Sequence, residues 1–377
     1  MSKERLCAAL FRVAVGLASI WLMLDAASPE AGSSSGTERP TAVLGLPADP
    51  DFLRAEHPRA FRFPQDHGMH PAYRNEWWYF TGHLESEDGR KFGFQLTLFR
   101  FELASNVPAS ASAWRTPRVL MGHFALSDLT TRQFHAYERL TRAHPALAGI
   151  EAQPLSIWLD DWSISQDPED ESWELRAAQA GVGIRLSLQP NSSTVLQGEA
   201  GLSRKSSDGP QSSYYYSIPR LRAVGTVLIE GLRVPVRGSA WLDREWGSDT
   251  APPKQAGWDW FGLQLDDGSC LMFYRLRRQD GTIEPRSHGS LLHTNGTVSA
   301  LPLGAVQLHD IQWWRSPVSG RRYPSGWRLT VADHEIDLFV RPRLQQQEWR
   351  GRFPYWEGAV SISGTHTGLG YVELTGY

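Results

Sequence analysis

Apolar and polar residues alternate with a period of two along much of the chain, and Asp-Gly or Asn-Gly dipeptides interrupt the alternation. Ile184, Leu186 and Leu188 form one such run, and Ile336, Leu338 and Val340 another, so each reads as a strand with one buried face. Trp77 to Leu84 leads into Asp88 and Gly89 and resumes at Phe92 to Phe101. Trp258 to Leu265 leads in the same way into Asp267 and Gly268 and resumes at Cys270 to Arg277. Further turns fall at Asp280-Gly281 and Asn295-Gly296, dipeptides that supply the positive φ a tight hairpin needs. No strand is followed by a long amphipathic helix. The pattern predicts an all-β, antiparallel, meandering fold.

The same plan occurs twice. Trp173, Ile184, Leu186, Leu188 and Pro190 match Trp327, Ile336, Leu338, Val340 and Pro342, and Trp77 to Gly89 matches Trp258 to Gly268. Gly238, Ser239, Ala240, Trp241 and Leu242 match Gly370, Tyr371, Val372, Glu373 and Leu374. Two β-barrels or closed sheets in tandem are expected, the first over 58–250 and the second over 251–377.

Ahead of them, Lys3, Arg5 and Arg12 precede an apolar run of 12 residues, Val13 to Leu24, too short to span a bilayer and suited to a signal-peptide core. Small residues at Ala26, Ala27 and Ser28 follow, so residues 1–27 read as an export signal and 28–57 as a Gly-, Ser- and Pro-containing linker. The expected location is periplasmic or secreted; the alternative is an uncleaved N-terminal anchor. Export removes Cys7 and leaves Cys270 alone, so no internal disulfide forms and a large apolar core must hold the protein together.

Composition narrows the function. The net charge of −3 gives no electrostatic case for nucleic acid, and the basic residues are 34 Arg and 4 Lys. No Gly-rich phosphate loop, Gly-x-Ser-x-Gly elbow, Cys-x-x-Cys pair or metal-ligand spacing is present, so no cofactor or metal is implied. His83 and His123, each after a Gly in a strand-like segment, read as core histidines. Candidate chemistry concentrates where the two copies differ. Only the first copy ends in Trp241, Leu242, Asp243, Arg244, Glu245, Trp246 and Gly247. By strand alternation Asp243 and Glu245 share one face, and Arg244 and Trp246 the other. Two carboxylates beside aromatic walls suit general acid and base roles; the alternative is an Asp-Arg-Glu ion network that fixes a strand end. Glu76, at the mouth of the aromatic strand Trp77 to Phe80, is costly unless paired. Glu76, Asp243 and Glu245 are therefore the candidate catalytic residues. Trp77, Tyr216, Arg220, Arg244, Trp246, Trp258 and Trp260 are the candidate ligand contacts, around a cavity in or opening toward the first copy.

Five motifs carry a resemblance: NEWWYFTGHL (Asn75 to Leu84), YYSIPRL (Tyr215 to Leu221), GSAWLDREWG (Gly238 to Gly247), GWDWFGLQL (Gly257 to Leu265) and GYVELTGY (Gly370 to Tyr377). Together they resemble the AttH-like family, exported bacterial proteins often labelled secreted hydrolases and related to carotenoid 1,2-hydratase. The resemblance implies a tandem of two lipocalin-like antiparallel β-barrels and an envelope ABC-transport-type complex as partner. The hydratase pattern has a His where Arg244 stands and an Asp on the strand matching Phe273 to Leu276, which here carries no carboxylate. Two functions follow. One is binding of a lipid or other long apolar small molecule in the cell envelope. The other is a hydrolase or carotenoid-hydratase-like lyase that uses carboxylate acid and base catalysis. N-terminal sequencing of the exported protein is expected to start after about Ala27; a sequence beginning at Met1 identifies the segment as an anchor.

Overall fold

A computed structural model describes residues 50–106, 112, 115–249, 252 and 254–377. The export signal and most of the linker read from the sequence lie outside the described residues. Residues 50–57, the end of that linker, are seated on the rest of the chain. Phe52 and Ala55 are buried, and Tyr214 donates to the His57 carbonyl at 2.8 Å.

The first sheet contains β1 (Asn75–Ser86), β2 (Lys91–Glu102), β3 (Arg118–Asp128), β4 (Gln133–Arg142), β5 (Ala148–Ala152), β6 (Leu155–Leu159), β7 (Trp162–Gln166), β8 (Trp173–Gln179), β9 (Val182–Pro190), β10 (Val195–Leu196), β11 (Leu202–Arg204), β12 (Ser212–Ile229) and β13 (Leu232–Gly247). The second contains β14 (Gln255–Leu265), β15 (Cys270–Arg278), β16 (His288–Leu292), β17 (Val298–Pro302), β18 (Gln307–Arg315), β19 (Arg322–Val331), β20 (Ile336–Pro342), β21 (Glu348–Trp349), β22 (Tyr355–Gly364) and β23 (Gly368–Leu374). Among the described residues there is no α-helix, only 3-10 turns such as Gln65–His67.

In each sheet the first strand pairs with the last, β1 with β13 and β14 with β23. The orders correspond: β3-β2-β1-β13-β12-β9-β8 in the first sheet and β16-β15-β14-β23-β22-β20-β19 in the second. The duplication read from the sequence is thus also a duplication of topology, and the all-β, lipocalin-like class stands. First-to-last pairing curls each sheet around its apolar face. Trp78, Phe80, Trp162, Trp173 and Leu242 fill the first interior, and Phe261, Trp327, Leu338, Trp356 and Val372 the second. Alternation sends the other residues of β1, and of the buried stretches of β12 and β13, outward toward the second sheet. Tyr79, Tyr215 and Trp241 pack there with Trp260, Met272, Tyr274 and Tyr371.

A buried ion network closes one end of the first interior. Glu76 accepts from Arg100 Nε at 2.5 Å and from Arg244 Nη2 at 2.6 Å, all three being fully buried. Arg244 lies 3.7 Å from the centre of the Trp78 ring, and His70 stacks on Trp246 at 3.8 Å. His67 pairs with the Tyr216 hydroxyl at 2.6 Å. The segment 65–74 is thereby pinned across the strand ends. An ion network does exist here, but Arg244 pairs with Glu76 and not with Asp243 or Glu245, because adjacent residues of a strand face opposite sides.

Burial alone would raise the Glu76 carboxyl, yet the Arg100 and Arg244 guanidiniums hold it well below its ordinary 4.5. A depressed carboxyl stabilises the fold above its unfolded pKa, and that contribution is lost as pH falls toward the folded value. Burial and the Arg244 charge likewise depress His67, from 6.5 to about 3, so the unfolded chain binds the extra proton between those values and stability again falls with acid. Glu76→Gln leaves two buried guanidiniums short of their partner, and a loss of about 3–5 kcal/mol in urea unfolding at pH 7 is expected. The deficit should narrow below about pH 4.5, where the unfolded wild-type carboxyl also protonates. A deficit under about 1 kcal/mol would show that the network is not what holds this end.

Candidate functional site

Between the outward faces of the two sheets lies a cavity of about 300 Å³. The first sheet contributes Trp77 and Tyr79 from β1, Phe99 from β2, Tyr215 from β12, and Asp243 and Glu245 from β13. The second contributes Trp258 and Trp260 from β14, Tyr274 from β15, Tyr355 and Glu357 from β22, and Glu373 from β23. On every one of these strands the cavity residues alternate with residues of a sheet interior, so a strand such as β13 builds core with Leu242 and cavity wall with Asp243.

Asp243 is buried and accepts three hydrogen bonds: from the Tyr215 hydroxyl at 2.6 Å, the Ser217 hydroxyl at 2.6 Å and Trp241 Nε1 at 2.7 Å. Trp260 Nε1 extends the chain by donating to the Tyr215 hydroxyl at 3.1 Å. Burial pushes the Asp243 carboxyl up to about 7 although these donors favour its charged form. Glu245 has a cation: Lys205 Nζ lies 3.0 Å away, and the Ser213 hydroxyl donates at 2.5 Å. Lys205 also sits over the Tyr274 ring at 4.6 Å and the Tyr215 ring at 5.2 Å.

On the opposite wall Glu357 and Glu373 are direct cross-strand partners. Glu357 accepts from the Tyr79 hydroxyl at 2.7 Å. Burial, reinforced by the charge of Glu373, raises Glu357 well above its ordinary range, and burial lifts Glu373 to about 7. Groups that change protonation near neutrality inside an aromatic cavity can donate or accept a proton, or hydrogen-bond a polar group on a ligand.

The structure brings Trp77, Asp243, Glu245, Trp258 and Trp260 to this one cavity. Glu76, Tyr216, Arg244 and Trp246 lie on the other face, in the closed interior, where Glu76, Tyr216 and Arg244 have the partners described above and the Trp246 indole N–H has none among the described residues. Arg220 stands apart and donates to the Leu265 carbonyl at 3.0 Å. The cavity is outside the first sheet rather than within it because Trp78, Trp162, Trp173 and Trp246, all fully buried, occupy that interior. His83 and His123 also face the second sheet. His83 pairs with the Gly370 carbonyl at 2.8 Å, and His123 reaches the cavity and pairs with the Tyr355 hydroxyl at 3.0 Å.

Lys205, Tyr79, Glu357 and Glu373 are not among the site residues that the sequence points to, whereas Tyr215 belongs to the aromatic strand start Tyr214 to Arg220 that the sequence offers as a cavity wall or a barrel plug. For Glu373 a signal existed: in the matched closing strands it stands where the first copy has Trp241. Glu357 had only its place between Trp356 and Gly358, which does not reveal a face until the register is known.

Among solved structures, a Nitrosomonas europaea protein provisionally classed as AttH superposes with a TM-score of 0.77 at 34% identity, over 86% of this chain and 100% of that one. Kievitone hydratase from Nectria haematococca superposes at 0.65 with 15% identity, over 88% and 97% of the two chains. CghA, solved with Sch210972, does so at 0.53 with 13% identity, again over 88% and 97%. The last two likenesses are of fold alone. No curated protein matches the sequence. The AttH-like family profile matches residues 54–377, which take in both sheets and the cavity between them, and with the 34% identical relative this shows that the chain belongs to the AttH-like family.

Proposed function

We propose that the protein binds an apolar small molecule, a lipid or another long apolar ligand, in the cavity between its two sheets. One observation carries this reading. Trp77, Phe99, Trp258 and Trp260 line a space of about 300 Å³ together with a few buried polar groups already oriented by protein donors. Apolar walls with few convergent polar groups are what small-molecule sites share. The volume is at the small end of that class, so it accepts a compact molecule or one end of a longer one. The export signal read in residues 1–27 puts this activity in the cell envelope, with an ABC-transport-type complex as the partner class.

A second reading, acid and base chemistry on that ligand, is favoured by Asp243. A carboxyl raised to about 7 is part protonated at neutral pH and can give its proton to an unsaturated carbon or a leaving oxygen, while Glu373 across the cavity takes one from water. Kievitone hydratase shares the fold, and its name makes addition of water the first reaction to test.

Protein prepared from a membrane-containing host is expected to carry an apolar molecule detectable by native mass spectrometry. The Trp258→Ala, Trp260→Ala double variant should retain roughly a tenth of it or less. Equal retention would place the ligand elsewhere. Asp243 separates binding from chemistry. Because its folded pKa is raised from 3.8 to about 7, its stabilising linkage is complete below pH 3.8 and is lost as pH rises through 7. Asp243→Asn should therefore melt higher than wild type at pH 8, with the gain vanishing toward pH 4. Loss of turnover with binding retained supports the chemical reading; unchanged turnover of the co-purified ligand removes Asp243 from it.

A further inference from the structure

Resting on the cavity as a ligand site, we propose that its ligand carries a cationic group, an amine or quaternary ammonium, joined to its apolar part. Most buried carboxylates elsewhere in this protein have guanidinium partners. Glu76 has Arg100 and Arg244 in the first sheet, and Asp259 has Arg275 at 2.5 Å and Arg277 at 3.1 Å in the second, while Glu348 is held by the Ser316, Ser319 and Tyr323 hydroxyls. In the cavity no Lys or Arg among the described residues pairs with Asp243, Glu357 or Glu373. Asp243, Glu245, Glu357 and Glu373 face the cavity, whereas among the described lining residues Lys205 is the one Lys or Arg, and it is committed to Glu245.

Glu357 is only 2% exposed; its Oε1 takes the Tyr79 hydroxyl, and no donor among the described residues reaches its Oε2. Directly opposite, Glu373 meets the Trp258 side chain. Like charges paired across a ladder repel, so the pair calls for a positive group between or beside them. The walls suit the same group, since Trp77, Trp258 and Trp260 line the cavity and an indole ring attracts a cation through its quadrupole.

The remaining titrating groups on the cavity are Asp249, which pairs with Arg54 at 2.5 Å, His123, which burial keeps neutral, and the Tyr79, Tyr215, Tyr274 and Tyr355 phenols, which burial keeps protonated. None supplies a cation. An ammonium would draw the carboxyls back to their charged forms and release protons as it binds.

The test is calorimetric titration of the exported, full-length mature protein with three probes of one chain length: n-octyltrimethylammonium, 1-octanol and octanoate, each below its aggregation concentration, at pH 8 and pH 5.5. The ammonium is expected to bind about tenfold or more tighter than octanol at pH 8, with the preference shrinking at pH 5.5. At pH 7, titrations in buffers of different ionisation enthalpy should report protons released by the ammonium and none by octanol. Glu357→Gln with Glu373→Gln should remove the preference. If octanol binds as well as the ammonium, or octanoate binds better, the cationic assignment is overturned and the apolar site stands. If none of the three binds, both readings fall. The comparison of probes on the wild-type protein decides the matter even if the double variant does not fold.

Discussion

A strand in the middle of this protein is buried on both sides, and the fold and the site both depend on that constraint. Each residue in the buried stretches of β1, β12 and β13 must satisfy one of two environments, the closed interior of its own sheet or the face turned to the other sheet. Strand alternation allots them in turn. Trp78 and Phe80 become core, while Trp77 and Tyr79 become the meeting surface. Fully buried Trp side chains occupy both interiors. The cavity lies instead where the two curled surfaces meet.

The two faces also differ in how they handle charge. Inside the first sheet, Glu76 is neutralised by two arginines whose planar forks meet it from neighbouring strands, and this network ties segment 65–74 to three strands at once. Between the sheets, Asp243 and Glu357 are buried against aromatic rings with hydroxyl and indole donors in place of cations, and only Glu245 among the four cavity carboxyls meets a lysine. That arrangement costs stability, because burial without a countercharge pushes the groups toward their neutral forms. A cluster of such carboxyls in one cavity departs from the arginine pairing commonest elsewhere in the molecule, and a local departure of that kind is what a functional site looks like in energetic terms.

Kievitone hydratase and CghA share this fold at low identity, so the architecture tolerates wide variation in sequence. In this protein the tandem supplies a groove built by two sheets that need not alter their interiors to change it. Substituting a residue on an outward face changes the cavity and leaves the core alone. Function therefore belongs to the particular set of outward-facing side chains, here aromatic and acidic, and not to the pair of sheets.

Strand identity, turn positions and the internal duplication were legible in the sequence because they are local: alternation and Asp-Gly turns act over a few residues. The separation of Asp243 and Glu245 from Arg244 and Trp246 followed from the same period of two. Which face met which partner was not legible. Glu76 and Asp243 looked like members of one acidic site, yet they lie on opposite sides of the same sheet, one held by two arginines and the other by hydroxyls. Glu357 and Glu373 were hidden because their opposition depends on the β22–β23 register, and their nearness to Asp243 depends on how the two sheets pack. Alternation along a strand belongs to the chain itself. The choice of neighbour across a ladder or between sheets joins residues more than a hundred positions apart, as with Tyr79 and Glu357, and only the folded packing decides it.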